Sequence, residues 1–384
     1  ALGDLIVYNG KVYECTYPHT SHMGWLPGEA FTLWKERTDL VPGTTNPPAT
    51  EPPVTEPPVT EPPVTEPPAT EPPVRPGNRQ LPDHLVVGYW HNFCNGSTNL
   101  KLSDVPAYYD MVCIAFTGNS SVPGEATFEI DGDLSRALGG YNAAQFKQDI
   151  KNMQAQGRFV VISVGGAEGR ISITSDAAAR TFANSMIKII EEYGFDGIDI
   201  DLEGGAVSGT AYIAGALRTL HDHFGDDFII TMAPETAYVQ NAQGSYLKLA
   251  LQIKDILTIC FPQFYNSGTM IGYDGMPVSP GTADFITSQL TTIINCGLRD
   301  DQVGIGLPCV PSAAGSGYIA NDVIERAVTA LVTGTKADRF VAPEAYPGLR
   351  CMMTWSVNWD ATNGYAWGKA MSDLMDIVDT LKPP

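Results

Sequence analysis

Eight residues near the middle of the chain, Asp196 to Glu203, read Asp-Gly-Ile-Asp-Ile-Asp-Leu-Glu and constrain the fold more than any other stretch. In an extended strand, successive side chains point to opposite faces. Ile198, Ile200 and Leu202 then share one face, and Asp199, Asp201 and Glu203 share the other. Three like charges roughly 6–7 Å apart along a strand are unfavourable unless some share protons or meet a cation. The alternative is an edge strand with a solvated acidic face. The apolar flanks favour a central strand, so the carboxylates are expected inside the protein.

The rest of the chain says what surrounds that strand. Residues 79–384 alternate strand-like and helix-like runs. Strands are expected at Leu85–Tyr89, Met111–Phe116, Phe159–Val164, Gly197–Leu202, Phe228–Ala233, Leu257–Tyr265, Val303–Leu307 and Cys351–Val357. Helical periodicity lies between most of them. Eight strands alternating with helices over about 300 residues fit a (β/α)8 barrel, a TIM barrel, of the α/β class. A doubly wound sheet is the competing arrangement. It calls for a glycine-rich phosphate loop after the first strand, and Gly88-Tyr89-Trp90 is not one.

A barrel places reacting groups at the carboxyl ends of its strands. Those ends carry Tyr89, Ser163 with Gly165-Gly166, the three carboxylates, Glu235, Gln263 with Tyr265 and Asn266, and Trp355. Aromatics and amides beside carboxylates at one mouth describe a sugar-binding cleft. For Tyr89 or Trp355 alone, plugging the barrel is the bland reading.

Before the barrel lie two dissimilar segments. Residues 42–78 are a linker in which Thr-Glu-Pro-Pro-Val/Ala repeats with a period of five. Paired prolines fix φ and remove donors, so this stretch is extended polyproline II with a reach on the order of 100 Å. Residues 1–41 are aromatic-rich, and Asn9-Gly10 between two apolar runs signals a tight hairpin. So small a segment cannot hide all its aromatics. Exposed rings suit the apolar faces of sugars.

Composition narrows the partners. Over 384 residues the formal charge is −20, and the pI is about 4.5. That excludes nucleic acid, which needs a basic footprint, and disfavours anionic membranes. No apolar run is long enough to span a bilayer. The chain starts at Ala1 rather than Met, as a processed secreted protein does, and an extracellular monomer is expected. None of the seven cysteines stands in Cys-x-x-Cys spacing, and the six histidines form no ligand set, so no metal is expected. Cys113, Cys260 and Cys351 read as small buried hydrophobes.

Ser163-Val164-Gly165-Gly166 on the third strand and Asp196-x-x-Asp199-x-Asp201-x-Glu203 on the fourth resemble the paired signatures of family 18 glycoside hydrolases, the chitinases. Tyr8-Asn9-Gly10-Lys11-Val12-Tyr13, with Tyr17, Gly24-Trp25 and Leu33-Trp34, resembles the small chitin- and cellulose-binding modules attached to bacterial chitinases. Those modules carry a further upstream Trp or Tyr that this sequence lacks. The resemblance implies that Glu203 is the general acid, Asp201 orients the substrate's N-acetyl group, and Asp199 tunes Asp201. Asp196 is structural in that scheme. Tyr265 is implied as the acetamide's partner and Trp355 as the floor of the cleavage subsite; Gln263 and Asn266 resemble a variant branch of that edge, and Tyr89 and Ser163, from their place at strand ends, are expected as further substrate contacts. Many members have Tyr-Asp where this chain has Tyr265-Asn266. In the small module, Tyr17 and Trp25 are implied as surface binding residues and Trp34 as core. The implied partner is chitin and its oligosaccharides, with no cofactor. The implied reaction is substrate-assisted hydrolysis of β-1,4-linked N-acetylglucosamine with retention. Only about forty residues separate Leu307 from Cys351, which leaves no room for the extra domain that deepens the cleft in some members, so internal cleavage is expected. The alternatives are an endo-β-N-acetylglucosaminidase acting on N-glycans and a non-catalytic chitin-binding lectin.

Overall fold

A computed structural model describes residues 5–8, 11–15, 34–38, 79–169, 171–204 and 207–381. The chain divides into two units, Ala1–Ala69 and Thr70–Pro384. In the first, Leu5–Tyr8 pairs antiparallel with Lys11–Cys15, which pairs with Trp34–Glu36. Tyr8 stands opposite Lys11 in the first of these pairings. Val12, Tyr13 and Cys15 are buried. Tyr17, Trp25, the Trp34 side chain and the linker from 42 to 78 lie outside the described residues.

The second unit is a (β/α)8 barrel. Its strands are β1 (Leu85–His91), β2 (Met111–Ala115), β3 (Phe159–Gly166), β4 (Gly197–Leu202), β5 (Ile229–Met232), β6 (Ile259–Cys260), β7 (Gly304–Pro308) and β8 (Cys351–Trp355). They pair in parallel in the spatial order β6-β5-β4-β3-β2-β1-β8-β7. Parallel bridges from Cys260 to Val303 and from Gln263 to Gly306 join β6 to β7 and close the barrel. The long helices are α1 (Ala143–Ala155), α2 (Asp176–Tyr193), α3 (Thr210–Phe224), α4 (Ser245–Gln252), α5 (Ala283–Asn295), α6 (Asn321–Thr333) and α7 (Ala366–Leu381). Between β1 and β2 there is only a 3-10 turn, Leu102–Asp104.

Alternation along the strands builds two apolar layers. Val86 and Trp90 of β1 and Ile198, Ile200 and Leu202 of β4 join the outer layer under the helices. The helices meet it with stripes at helical spacing, as with Phe182, Met186, Ile189, Ile190 and Tyr193 of α2. Leu85, Val87 and Tyr89 of β1, with Cys113, Val161, Phe261, Cys351 and Met353, fill the lumen. The six cysteines of this unit form no disulfide, and Cys113, Cys260 and Cys351 are fully buried.

Seven of the eight strands differ from the sequence expectation at one end or both, and two of these differences have a plain cause. The expected Leu257–Tyr265 shrinks to Ile259–Cys260 as regular ladder, because Pro262 has no N–H to donate. Pairing resumes at Gln263, which bridges Glu235 on one side and Gly306 on the other. β8 stops at Trp355 rather than Val357, since Ser356 caps a short helix, Val357–Thr362, by accepting from Trp359 N.

At the amino end of the barrel, Asp196 is 4% exposed. It accepts the Val160 N–H at 2.8 Å, the Gln154 amide at 3.0 Å, and an ion pair from Arg79. The Arg79 guanidinium also lies over the Phe159 ring, 4.6 Å from its centroid. This is a structural role for the first acid of the motif. Replacing Asp196 by Ala leaves the part-buried Arg79 guanidinium without its carboxylate and the buried Val160 N–H without its acceptor. We expect the unfolding free energy to fall by about 3–5 kcal/mol, read from urea midpoints; a loss under about 1 kcal/mol contradicts this account.

Candidate active site

The register of three strands builds the site around Asp199. Ser163 of β3 and Thr231 of β5 both stand opposite Asp199 of β4. Both side chains therefore reach it across the lumen, and Tyr89 arrives from β1. Asp199 Oδ2 accepts the Tyr89 and Ser163 hydroxyls, each at 2.6 Å, and Oδ1 accepts the Thr231 hydroxyl at 2.7 Å. The carboxyl is fully buried. Burial lifts its pKa above the ordinary carboxylate range, and the three hydroxyls oppose that lift.

The glycines after Ser163 have separate reasons. Gly165 has φ +124°, and a Cβ there would lie 2.1 Å from the Asp201 carbonyl oxygen. Gly166 has φ +74°, and a Cβ there would strike the Phe116 ring. Only glycine lets β3 close against the carboxyl end of β4 and admits the aromatic beside it.

Asp201 and Glu203 follow on the same face. Asp201 is 3% exposed. Burial, then Glu203, then Asp199 drive its pKa well up. Glu203 is half-buried, and its pKa is lifted by burial and by Glu235 while Gln263 opposes. Gln263 Nε2 donates to Asp201 Oδ1 at 2.8 Å and to Glu203 Oε1 at 3.2 Å. Behind them Tyr246 OH receives the Leu202 N–H at 2.5 Å and donates to the Ile200 carbonyl at 3.3 Å, fixing the end of β4 where its ladder runs out. Glu235 Oε2 takes the N–H of Gly204, the residue after Glu203, at 2.7 Å.

A cavity of about 570 Å³ opens over Asp201 and Glu203. Gln263, Tyr265, Asn266 and Trp355 line it, whereas Tyr89 and Ser163 do not. The last two stand behind the cavity wall as partners of Asp199. Asn266 is exposed, with φ +51°, and its Oδ1 accepts the Gly315 N–H at 2.7 Å, tying down the loop after β7. Trp355 stacks on Phe116, with centroids 5.9 Å apart and planes 15° apart, and packs on the buried His91 at 4.7 Å. Burial pushes the His91 imidazole down to about 3, so it backs the tryptophan as a neutral ring.

Phe93, Asn92, Asn119 and Glu168 also line the cavity and were not singled out from the sequence. Phe93, Asn92 and Glu168 sit on loops that follow the strands, and Asn119 on a two-residue strand, Gly118–Asn119, where periodicity carries no signal. Thr231 and Tyr246 were missed for a different reason: their roles arise from cross-strand register. Among the described lining residues none is cationic. The carboxylates are relieved only by neutral donors and by protonation, an arrangement suited to holding and passing a proton near neutral pH.

Residues 85–369 match the model of glycosyl hydrolases family 18, and residues 1–35 match that of carbohydrate-binding module family 5/12. The chain is 37% identical over 336 residues to "Chitinase D" of Niallia circulans, covering 77% of this chain and 62% of that protein. It thus spans less than two thirds of that relative's length. A crystal structure named for a chitinase A of Streptomyces coelicolor is 46% identical, with a TM-score of 0.74, and covers 77% of this chain and 99% of that one. A family 18 chitinase from Chromobacterium violaceum is 31% identical, with a TM-score of 0.70, and covers 98% and 97%.

The raised pKa of Asp201 has a consequence for stability. The native state binds this proton more tightly than the unfolded chain, whose aspartates titrate near about 3.9. That contribution is present below the unfolded value and is lost as pH rises towards the folded one. Asp201→Asn keeps the acceptor for Gln263 and removes the titration. We expect it to melt above the wild type at pH 7 and to converge with it near pH 3.5. A variant melting at or below the wild type at pH 7 would contradict this.

Proposed function

The chain belongs to glycosyl hydrolase family 18, and on that premise we propose that it is a secreted chitinase that cleaves β-1,4 linkages between N-acetylglucosamine units with retention. The observation that carries this reading is the pair Asp201 and Glu203, held by one amide at the floor of an open cavity that has no cation among its described lining residues and is walled by Trp355 and Tyr265. Glu203, protonated at the start, gives its proton to the glycosidic oxygen as the bond to the anomeric carbon breaks. The acetamide oxygen of the same sugar forms the new bond to that carbon, giving an oxazolinium ion. Asp201 accepts the acetamide N–H and opposes the positive charge. Glu203, now a carboxylate, takes a proton from water as the water's oxygen attacks the anomeric carbon and opens the ring. Two inversions give retention. Asp199, fixed by three hydroxyls, adds negative charge behind Asp201. Tyr265 serves the acetamide carbonyl, and Trp355 floors the subsite.

Between β7 and β8 the chain holds α6 and loops, with no inserted domain. That supports an open cleft and internal cleavage. The net charge of −20 suits an uncharged polymer. We take residues 1–41 as a chitin-binding module, 42–78 as a spacer and 79–384 as the catalytic domain, acting as a monomer.

Reducing-end release from colloidal chitin tests the assignment. Glu203→Gln keeps shape and removes the acid, so activity should fall roughly 10²–10⁴-fold while binding persists. Glu235→Gln and Glu168→Gln should each retain far more activity than Glu203→Gln. Cellulose, which lacks the acetamide nucleophile, should not be hydrolysed; rapid cleavage of it would overturn the mechanism. For the small module, Tyr17→Ala with Trp25→Ala should lower retention on insoluble chitin and leave hydrolysis of soluble oligosaccharides unchanged. Equal retention of variant and wild type would remove both residues from the binding face.

A further inference from the structure

Gln263 is held more tightly than a substrate contact requires. Its N–H donates to the Pro234 carbonyl at 2.8 Å, and its own carbonyl takes the Thr236 hydroxyl at 2.7 Å. The side chain is nearly buried, at 4% exposure. Three acceptors surround Nε2: Asp201 Oδ1 at 2.8 Å, the Ala233 carbonyl at 3.1 Å and Glu203 Oε1 at 3.2 Å. A backbone carbonyl can only accept, so the atom facing Ala233 is the amide nitrogen, independent of any choice between the amide's two orientations. That nitrogen has two hydrogens, which must serve the carbonyl and both carboxylates.

We propose that Gln263 is a positioning residue that makes the two oxygens of Glu203 unequal. By donating to Oε1 it leaves Oε2 as the atom that carries the transferred proton, and by donating to Asp201 Oδ1 at the same time it fixes the spacing of the reacting pair. The inference rests on the hydrolase reading given above.

The surroundings make a neutral donor the suitable choice. Glu203 faces Asp201 along β4, Glu235 from beyond β5 and Tyr265 from beyond β6, and Asp199 lies one step further back. No cationic group is among the described residues lining the cavity. A cation in place of the amide would hold both carboxylates ionised and leave no acid. An apolar side chain of the same size would leave burial unopposed, so that Glu203 and Asp201 would both hold protons to higher pH. The amide lies between these limits.

The test compares the full chain with Gln263→Met, close in volume but without a donor, and Gln263→Asn, which keeps the amide one methylene short. Kinetics on a soluble N-acetyl-chito-oligosaccharide are taken from pH 4 to pH 9. Carboxyl titration by 13C NMR is recorded without substrate. For Gln263→Met we expect kcat to fall about 10–100-fold and KM to change by less than about threefold. The alkaline limb of kcat and the Glu203 carboxyl midpoint should both move to higher pH. Gln263→Asn should shift both in the same direction, and it decides the question alone if the Met variant does not fold. A rise in KM with kcat unchanged would make Gln263 a substrate contact instead. A lower kcat with the limb and midpoint unmoved would reduce it to a packing role. If the wild type releases no reducing ends, the hydrolase reading fails. The substrate-free titration still judges Gln263, and an unshifted midpoint overturns its part.

Discussion

Three carboxylates crowded on one buried face, with no cation among the described residues lining the cavity above them, are the constraint on which the rest of the structure depends. In water such crowding costs little. Inside a barrel each charge loses its solvation, and the neighbours add repulsion. The observed remedy is hydroxyl and amide donors drawn from β1, β3, β5 and the segment after β6, each aimed at a named oxygen. Tyr89 lies 110 residues from Asp199, and Ser163 and Thr231 lie 36 and 32 away. Ser163 and Thr231 meet Asp199 as register neighbours on the flanking strands, and Tyr89 reaches it from β1 because the sheet curls into a barrel. Barrel closure and site assembly are therefore one event, and a fold that left β4 at an edge would have no means of keeping Asp199 dry.

Much of this was legible in the sequence, and what was hidden follows a rule. The alternation from Gly197 to Leu202 declares which side chains face the lumen, since that depends only on period two. Eight strand-like runs separated by helical ones declare the barrel. What a single strand cannot declare is its register against the next. Ser163 and Tyr89 were placed from the sequence on the substrate side because they end strands. The register sets both against Asp199 instead. Thr231 looks like an ordinary β-branched strand residue until Asp199 is seen opposite. Gln263 reads as one more polar group at the mouth until Pro262 is recognised as the break that ends the regular ladder and presents the amide between two carboxylates.

The same strand also shows why, among the described residues, no cation lines the cavity where reaction is proposed. Asp196, one residue before β4, meets Arg79, Gln154 and the Val160 N–H. Asp201 and Glu203, near its other end, meet one neutral amide. Four acids in eight residues thus receive two treatments. At the amino end a guanidinium and an N–H satisfy the charge fully, which suits a group whose task is to hold strands and backbone together. At the carboxyl end, full satisfaction would defeat the purpose, because a carboxylate neutralised by a guanidinium has no reason to bind a proton.

That difference bears on stability as well as chemistry. A buried acid that retains a proton is one the fold disfavours in its charged form, so the native state is strained electrostatically as pH rises through the range where the acid must work. The scaffold tolerates this because the strain is local. The Asp196 cluster at the opposite end and the double apolar layer do not depend on the protonation of Asp201 and Glu203. Stabilising the reacting end with a cation would convert a proton donor into a fixed anion. The proton-donor role proposed for Glu203 and maximal stability at neutral pH are then opposed requirements on one strand.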